Sequence, residues 1–410
     1  MSSSICAVID DVVGASNALT ARWVRYACTG GSRALSGAGV WPLLALLEAA
    51  AEGPGRSELQ AAVGLDPAVA DRGARELLEV LARGTGVGGA LGLWNLAGLP
   101  LDPWWLDVAP GGARGELTGD PAVDRPRLDG WVERHTRGRL TRMPVALRPD
   151  TLLVLATALS IDTSWREPFR DVPLRPQRGP WAGRPRPAAG LSRGGTDLSP
   201  LALAETPAGP LTMFAVLGQD DVDVYLCLGE QECAPGEILA GAMEALAGHH
   251  PIQSGAALLA EPLARRAPGV ELITVPSYDP TPHLRVMTVR FDLTDQHDLL
   301  SQPGLFGLGT VSQADPHGHF PRISRVPLKV DQGVQDVNAT FTAEGFKAAA
   351  VTALSVAAGS APPQGQTLVL DAQFDRPFGF LARHRPTGLV LLAGWVAEPE
   401  EWPEDAGPIW

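Results

Sequence analysis

Phe341-Thr342-Ala343-Glu344-Gly345-Phe346-Lys347-Ala348-Ala349-Ala350-Val351-Thr352-Ala353 decides how this chain is read. A strand-like segment, Val326 to Phe341, runs into it. From Ala348 to Leu370 there follow 23 residues without one charged side chain. A structureless connection of that length inside a compact domain is usually functional or disordered. Its first part is no ordinary linker, because small and β-branched side chains without charge fit inside a sheet. In an extended strand alternate residues share a face, so Phe346, Ala348, Ala350 and Thr352 form one row, and after Phe346 all are small. The bland alternative is an Ala-rich helix end or a plain surface loop.

The remaining sequence frames that stretch as part of a large folded chain. At 410 residues, with 45% hydrophobic and 19% charged side chains, there is ample length to bury a core, and wholesale disorder is excluded. Length alone gives a soft prior of two or three domains. The 46 acidic residues outnumber the 33 basic ones, for a net charge of -13, which argues against nucleic acid and against an anionic membrane as partners. Only Lys329 and Lys347 are lysines. Cys6, Cys28, Cys227 and Cys233 have no CxxC spacing, so reduced thiols are expected. The start of the chain carries Asp10 and Asp11 and no basic opening, and the longest apolar run, Leu152 to Ile161, is too short to span a bilayer. The expectation is a soluble, cytoplasmic protein.

Periodicity divides the chain unevenly. The first third reads as helices at Asn17–Cys28, Pro42–Glu52 (Pro42 in its opening turn), Ser57–Gly64 (Ser57 and Gln60 as a capping box) and Asp71–Arg83, with another at Arg127–Arg137. Ala90–Ala97 alternates like a strand, and Thr151–Trp165 reads as a strand buried on both faces. Residues 174–200 read as loop. Strands are expected at Leu211–Ala215, Val222–Leu228, Val270–Pro276, Leu284–Leu293 and Val326–Phe341, a helix at Ile238–Ala247, and a strand pair over Phe374–Val396.

Three motifs suggest enzyme chemistry and lack its setting. Gly190-Leu191-Ser192-Arg193-Gly194 matches a nucleophile elbow, but a sharp strand-to-helix turn is required there and no helix follows. Gly84-Thr85-Gly86-Val87-Gly88-Gly89 matches a dinucleotide fingerprint, but a helix precedes and a strand follows, the reverse of the order that puts pyrophosphate at a helix N-terminus. His249-His250 and His317-Gly318-His319 lack the spacing of a helical zinc site and read as surface-loop histidines. No metal and no cofactor is expected.

Taken together, four segments resemble the serpin family, inhibitors of serine proteases that work by a conformational trap, and the likeness runs over nearly the whole chain in the right order. Leu128-Asp-Gly-Trp131-Val132-Glu-Arg-His-Thr136-Arg-Gly138-Arg-Leu140 is similar to the family's Asn-x-Trp-Val-x-x-x-Thr-x-Gly-Lys-Ile helix end. Trp165-Arg-Glu-Pro168-Phe169 resembles the segment after its long central strand. Phe341 to Ala353 resembles the hinge of its reactive loop, and Phe374-Asp-Arg-Pro377-Phe378 through Gly394 and Pro399 its closing strand pair. A divergent, bacterial-type member is expected. The resemblance implies an α+β fold over residues 1–410 as a single domain, with three mostly antiparallel sheets, about nine helices and an exposed reactive-centre loop at 345–370. It implies that a serine endopeptidase attacks the loop as substrate. The cut strand, hinged at Gly345 and carrying Phe346, Ala348, Ala350 and Thr352 inward, then enters the largest sheet. About 15 residues at roughly 3.3 Å each carry the acylated protease some 50 Å. Around a dozen new ladder bonds at about 1 kcal/mol each give a driving force on the order of 10 kcal/mol before ordering costs.

The resemblance also locates the bait and the sheet-opening region. The family's usual spacing from Gly345 sets the reactive bond at Gly359–Ser360, among small residues with no Arg or Lys, which suits an elastase- or subtilisin-like partner. The sheet-opening residues are expected at Trp41, Leu44, Thr157 and Gln335, where a polar cluster of the family has become largely apolar, and Phe346 is larger than the Thr or Ser usual at its position. The protein is expected to be a monomer and not an enzyme. Two rivals stay open: a non-inhibitory binding or carrier protein with the same fold, and a hydrolase using Ser192. The family resemblance also gives an extracellular alternative for location.

Overall fold

The structure, a computed structural model, describes residues 2–83, 85–108, 114–138, 140–346 and 365–403. Its helices are α1 (Ser2–Ala27), α2 (Gly37–Ala50), α3 (Gly53–Val63), α4 (Pro67–Arg83), α5 (Pro103–Val108), α6 (Pro121–His135), α7 (Pro235–Leu246), α8 (Glu261–Ala264) and α9 (Pro303–Phe306). The strands of the first half are β1 (Arg33–Leu35), β2 (Val87–Leu96), β3 (Arg114–Leu117), β4 (Leu153–Ile161), β5 (Thr163–Ser164), β6 (Arg170–Leu174) and β7 (Ala188–Gly195). Those of the middle are β8 (Leu201–Thr206), β9 (Gly209–Leu217), β10 (Val222–Leu228), β11 (Ile252–Ser254), β12 (Val270–Ser277), β13 (His283–Val289) and β14 (Phe291–Asp298). The last are β15 (Val334–Phe341), β16 (Gly345–Phe346), β17 (Gly365–Gln373), β18 (Phe378–His384) and β19 (Val390–Val396).

Two of the sheets are continuous. One has seven strands in the order β1-β19-β18-β10-β9-β8-β11, and β19 within it is buried along its whole length, a Val/Leu-rich strand covered on both faces. The second has five strands, β12-β17-β13-β7-β6. The third is divided into β3-β2-β4 on one side, β14-β15 on the other, and the short pair β5-β16 at one end. The division follows one line, between β4 and β15.

Burial along β4 alternates and shows what lies on each side of that line. Val154, Ala156 and Ala158 pack with Trp94, Leu128 and Trp131 beneath α6, whereas Leu153, Leu155 and Leu159 face the main core. On β15, Val337, Ala339 and Phe341 face that same core. The leucines of α2 lie beneath this face. The helix is apolar nearly all round, which fits a helix buried between layers.

Several boundaries differ from the sequence reading, each for a physical reason. α2 begins at Gly37, where the Ser36 hydroxyl caps it by accepting from Gly39 N–H, so Pro42 lies inside the helix and not in its opening turn. α3 begins at Gly53 with Glu52 as an N-cap that makes no side-chain bond, so Ser57 sits within the helix and forms no capping box; Gly64, left-handed at φ 74°, ends it as expected. Residues 188–195, expected as loop, form β7, held between β6 and β13. Its small residues and glycines are tolerated because tertiary packing supplies what propensity does not. Val326 to Gly333 is not strand; the ladder with β14 starts only at Val334.

Candidate functional site

The line between β4 and β15 is a slot with a closed head, a polar waist and an open foot. At the head, β15 ends at Phe341 and the chain turns back through Ala343 and Glu344. Thr342 N–H donates to Gly345 O at 3.0 Å, so Thr342 and Gly345 face each other across the turn. β16 then pairs antiparallel with β5, Gly345 opposite Ser164 and Phe346 opposite Thr163. Gly345 is needed here for close approach: a Cβ on it would come within 2.4 Å of Thr163 O. Trp165 and Phe169 hold the turn, their backbone N–H groups donating to Glu344 O and Ala343 O at 2.8 Å each, while the Trp165 indole donates to Thr342 O at 3.0 Å.

Phe346 is received, not excluded. It is buried, 2% exposed, with its ring 6.2 Å from Phe380, which sits 4.7 Å from Phe291, which in turn stacks on Phe341 at 5.2 Å. An aromatic cavity at the head thus matches the one large side chain of the inward row.

At the waist the expectation of an apolar opening region fails. Gln335 reaches across to α2, accepting from Ser36 N–H at 2.9 Å and donating to Ser36 O at 2.8 Å. The Ser36 hydroxyl donates to Leu391 O at 2.6 Å, and Thr157 donates to Gly39 O. Thr157 and Gln335, on opposite lips of the slot, both converge on Gly39, where a Cβ would lie 3.1 Å from Gln335 Nε2. The cluster is polar because the helix starts at Ser36-Gly37-Ala38-Gly39 and not at Trp41-Pro42. Trp41 is buried away from the slot with its indole on Val63 O at 2.9 Å. Ser36 and Gly39 are the members that the sequence reading missed; a serine directly before Gly37-Ala38-Gly39 and an apolar helix was the available signal. A cleft of about 100 Å³ runs through the waist, lined on the β4 side by Leu155 to Ile161 and on the β15 side by Val334 to Asn338.

The foot widens into a cleft of about 340 Å³ among Leu43, Leu44 and Leu47 of α2, Leu153 and Leu155 of β4, and Gly333 and Val334. The backbone strands do not pair there. Instead, side chains clasp its mouth: Gln332 accepts from Ala146 N–H at 2.8 Å and donates to Ala146 O at 2.9 Å, and Arg148 pairs with Asp331.

Other sequence-derived candidates lie elsewhere. Ser192 stands in mid-strand on β7, opposite Met287 and Arg170, with no helix after it, so the elbow geometry is missing. His319 is buried, not a surface residue, and its Nε2 meets Gln313 O at 2.9 Å; His250 pairs with Glu244 at 3.0 Å. No group of three potential metal ligands occurs among the described residues. Cys28, Cys227 and Cys233 are free thiols, and burial pushes Cys28 up to about 12 and raises Cys227 as well, so neither is a thiolate at neutral pH. No helix among the described residues is long and apolar enough to cross a membrane. Lys347, Ala348, Ala350, Thr352, Gly359 and Ser360 lie outside the described residues.

The overall fold that holds this slot is matched by the comparisons with known proteins. The profile of the family described as Serpin (serine protease inhibitor) matches residues 281–399. Plasminogen activator inhibitor 1 of Neovison vison is 28% identical over 298 residues, 68% of this chain and 63% of that protein. The putative serpin-Z6A of Oryza sativa subsp. japonica is 24% identical over 384 residues, 88% of this chain and 92% of that one. The chain is similar to members of the serpin family and shares their fold. The match to the mammalian inhibitor thus spans about three-fifths of that protein's length. Among solved serpin folds, a thyroxine-binding globulin complex with thyroxine aligns at TM-score 0.67 with 14% identity, covering 95% of this chain and 99% of that one. The native thermophilic serpin tengpin aligns at TM-score 0.66 with 13% identity, covering 95% and 94%. The fold is therefore the α+β serpin fold expected from the sequence. The curated relatives are mammalian and plant proteins and give no support to a bacterial-type member.

Proposed function

We propose that this chain is a serpin that inhibits a serine endopeptidase as a suicide substrate, and that its cleaved loop enters the slot between β4 and β15. The observation that carries this reading is the head of the slot. The hinge already runs antiparallel to β5, two residues deep, with its bulkiest side chain seated. Continuing the β5–β16 register down β4 sets Ala348 opposite Ile161, Ala350 opposite Leu159 and Thr352 opposite Thr157. Continuing the register of the turn down β15 sets Thr352 opposite Gln335, so both lips bring the same pair of waist residues to one position. The inward row is small where the cleft is narrow.

In this reading the nucleophile belongs to the protease, and Gly359–Ser360 is the bait. Its neighbours Val356, Ala357 and Ala358 are modest in size and uncharged, which favours an elastase- or subtilisin-like partner over one with an acidic specificity pocket. The chain needs no cofactor for this and acts as a monomer. A non-inhibitory carrier is the alternative, since the fold neighbours include a globulin in complex with thyroxine.

Incubation with elastase and with subtilisin, followed by denaturing gels, tests the proposal. A covalent adduct stable to denaturation is expected. Complete loop cleavage with no adduct contradicts inhibition and leaves the carrier reading.

A further inference from the structure

Away from the slot, a crevice of about 260 Å³ opens between the five-stranded and the seven-stranded sheets, lined by Arg193, Gly194, Gly195, Phe214, Leu284 and Val286 among others. The strand register explains how a charge comes to lie there. Along β7, Leu191, Arg193 and Gly195 share a face. Leu191 is buried, and Arg193 and Gly195 stand opposite Val286 and Leu284 of β13, both buried. Arg193 thus leaves its sheet on the core face, where a charged side chain is rare unless it is paired. Gly195 keeps the neighbouring space open: a Cβ on it would meet no atom within 4 Å.

The surroundings of Arg193 supply little for a buried cation. Its side chain is 11% exposed, and its guanidinium lies over the rings of Phe169 and Phe214, 4.8 Å and 4.9 Å from their centres. Ring faces attract the charge, but a guanidinium also carries five N–H donors. Among the described residues Arg193 makes one hydrogen bond, Nη1 donating to Glu167 O at 2.8 Å. Two carboxylates stand at the mouth. Glu167 is 70% exposed and holds its Oε2 3.9 Å from Nε, beyond hydrogen-bond reach, while Asp197 accepts from Ser199 N–H at 2.9 Å. Burial pulls the Arg193 pKa below the usual arginine value. A buried charge is stable when paired and hydrogen-bonded, and a planar guanidinium pairs best with a carboxylate that takes two of its donors.

We infer that this crevice is a binding site for a small carboxylic acid, its carboxylate on Arg193 and its apolar body against Phe214, Leu284 and Val286. The volume sets the size: it lies below the roughly 300–1,000 Å³ of drug-sized pockets, which suits a single ring or a short chain. The site needs no loop insertion. It borders the hinge turn all the same, because Phe169, one of the two rings under Arg193, donates its N–H to Ala343 O at 2.8 Å.

Titration of the intact protein, followed by calorimetry and by ligand-observed NMR, tests the inference with three probes: phenylacetate, its uncharged isostere phenylacetamide, and inorganic phosphate. Phenylacetate is expected to bind the wild type at millimolar concentration, and the other two about tenfold or more weakly. Arg193→Met keeps an apolar stem, removes the charge and is expected to lose about tenfold or more in phenylacetate affinity. Gly195→Leu keeps the guanidinium, fills the open space and is expected to lose binding as well, so the test stands even where Arg193→Met fails to fold. Arg178→Met, at an arginine 87% exposed outside the crevice, is expected to bind as the wild type does. Phenylacetamide or phosphate binding as tightly as phenylacetate overturns the ligand class. Unchanged affinity in Arg193→Met or Gly195→Leu, a loss in Arg178→Met equal to theirs, or no phenylacetate binding to the wild type overturns the site.

Discussion

The head and the foot of the slot are closed by different physics. At the head, backbone pairs with backbone, one indole and two backbone amides hold the turn, and Phe346 is buried in an aromatic cluster. At the foot, the strands stand apart over a cavity, and the clasp consists of a carboxamide and an exposed ion pair. Exposed pairs contribute about 0–1 kcal/mol, whereas a buried phenyl ring contributes several times that. The difference teaches that the slot is firmly anchored at its head and weakly fastened at its foot. In the proposed insertion, a strand filling the slot from the head downward would release side-chain contacts at the waist and foot.

Breaking the head should have the largest effect. Phe346→Ala is expected to lower the stability of the intact protein by about 3–5 kcal/mol, read from urea unfolding, because it opens a cavity against Phe380. A loss below about 1 kcal/mol would mean that the ring is not seated. The waist comes next. Gln335→Ala strips the partner from Ser36 N–H and leaves Ser36 O only the longer bond from Gly39 N–H, and is expected to cost about 2 kcal/mol in the intact form. The nicked form should suffer less, because Thr352 then lies between the two lips; equal losses in both forms would contradict that rearrangement. At the foot, Gln332→Ala is expected to change intact stability by no more than about 1 kcal/mol while shortening the time to reach the nicked end state. An unchanged rate would show that the clasp does not gate the foot.

The sequence made the head and the overall architecture legible, and the waist much less so. The uncharged run, the glycine before it and the Trp165 and Phe169 segment each carry a local signal, because turns, close approaches and alternating faces are properties of neighbouring residues. The waist joins Ser36, Thr157, Gln335 and Leu391, far apart in the chain, so only the folded arrangement brings them together. Placing the start of α2 five residues late moved a capping serine out of view and made a polar cluster look apolar. β7 was illegible for a similar reason: Ala188, Ala189, Gly190, Gly194 and Gly195 have weak strand preference, and the strand exists because β6 and β13 flank it. The foot clasp depends on Gln332 and Ala146, which no periodicity links.

The central claim is that the β4 edge facing β15 is an open place for a strand. Hydrogen–deuterium exchange over Leu153 to Leu159, before and after the loop is nicked, tests it most directly. Alternate β4 amides point to β2 and to the slot. The account predicts that the slot-facing half exchange rapidly in the intact protein and become protected once the loop is cut. Full protection in the intact protein, or rapid exchange that persists after cutting, would contradict it.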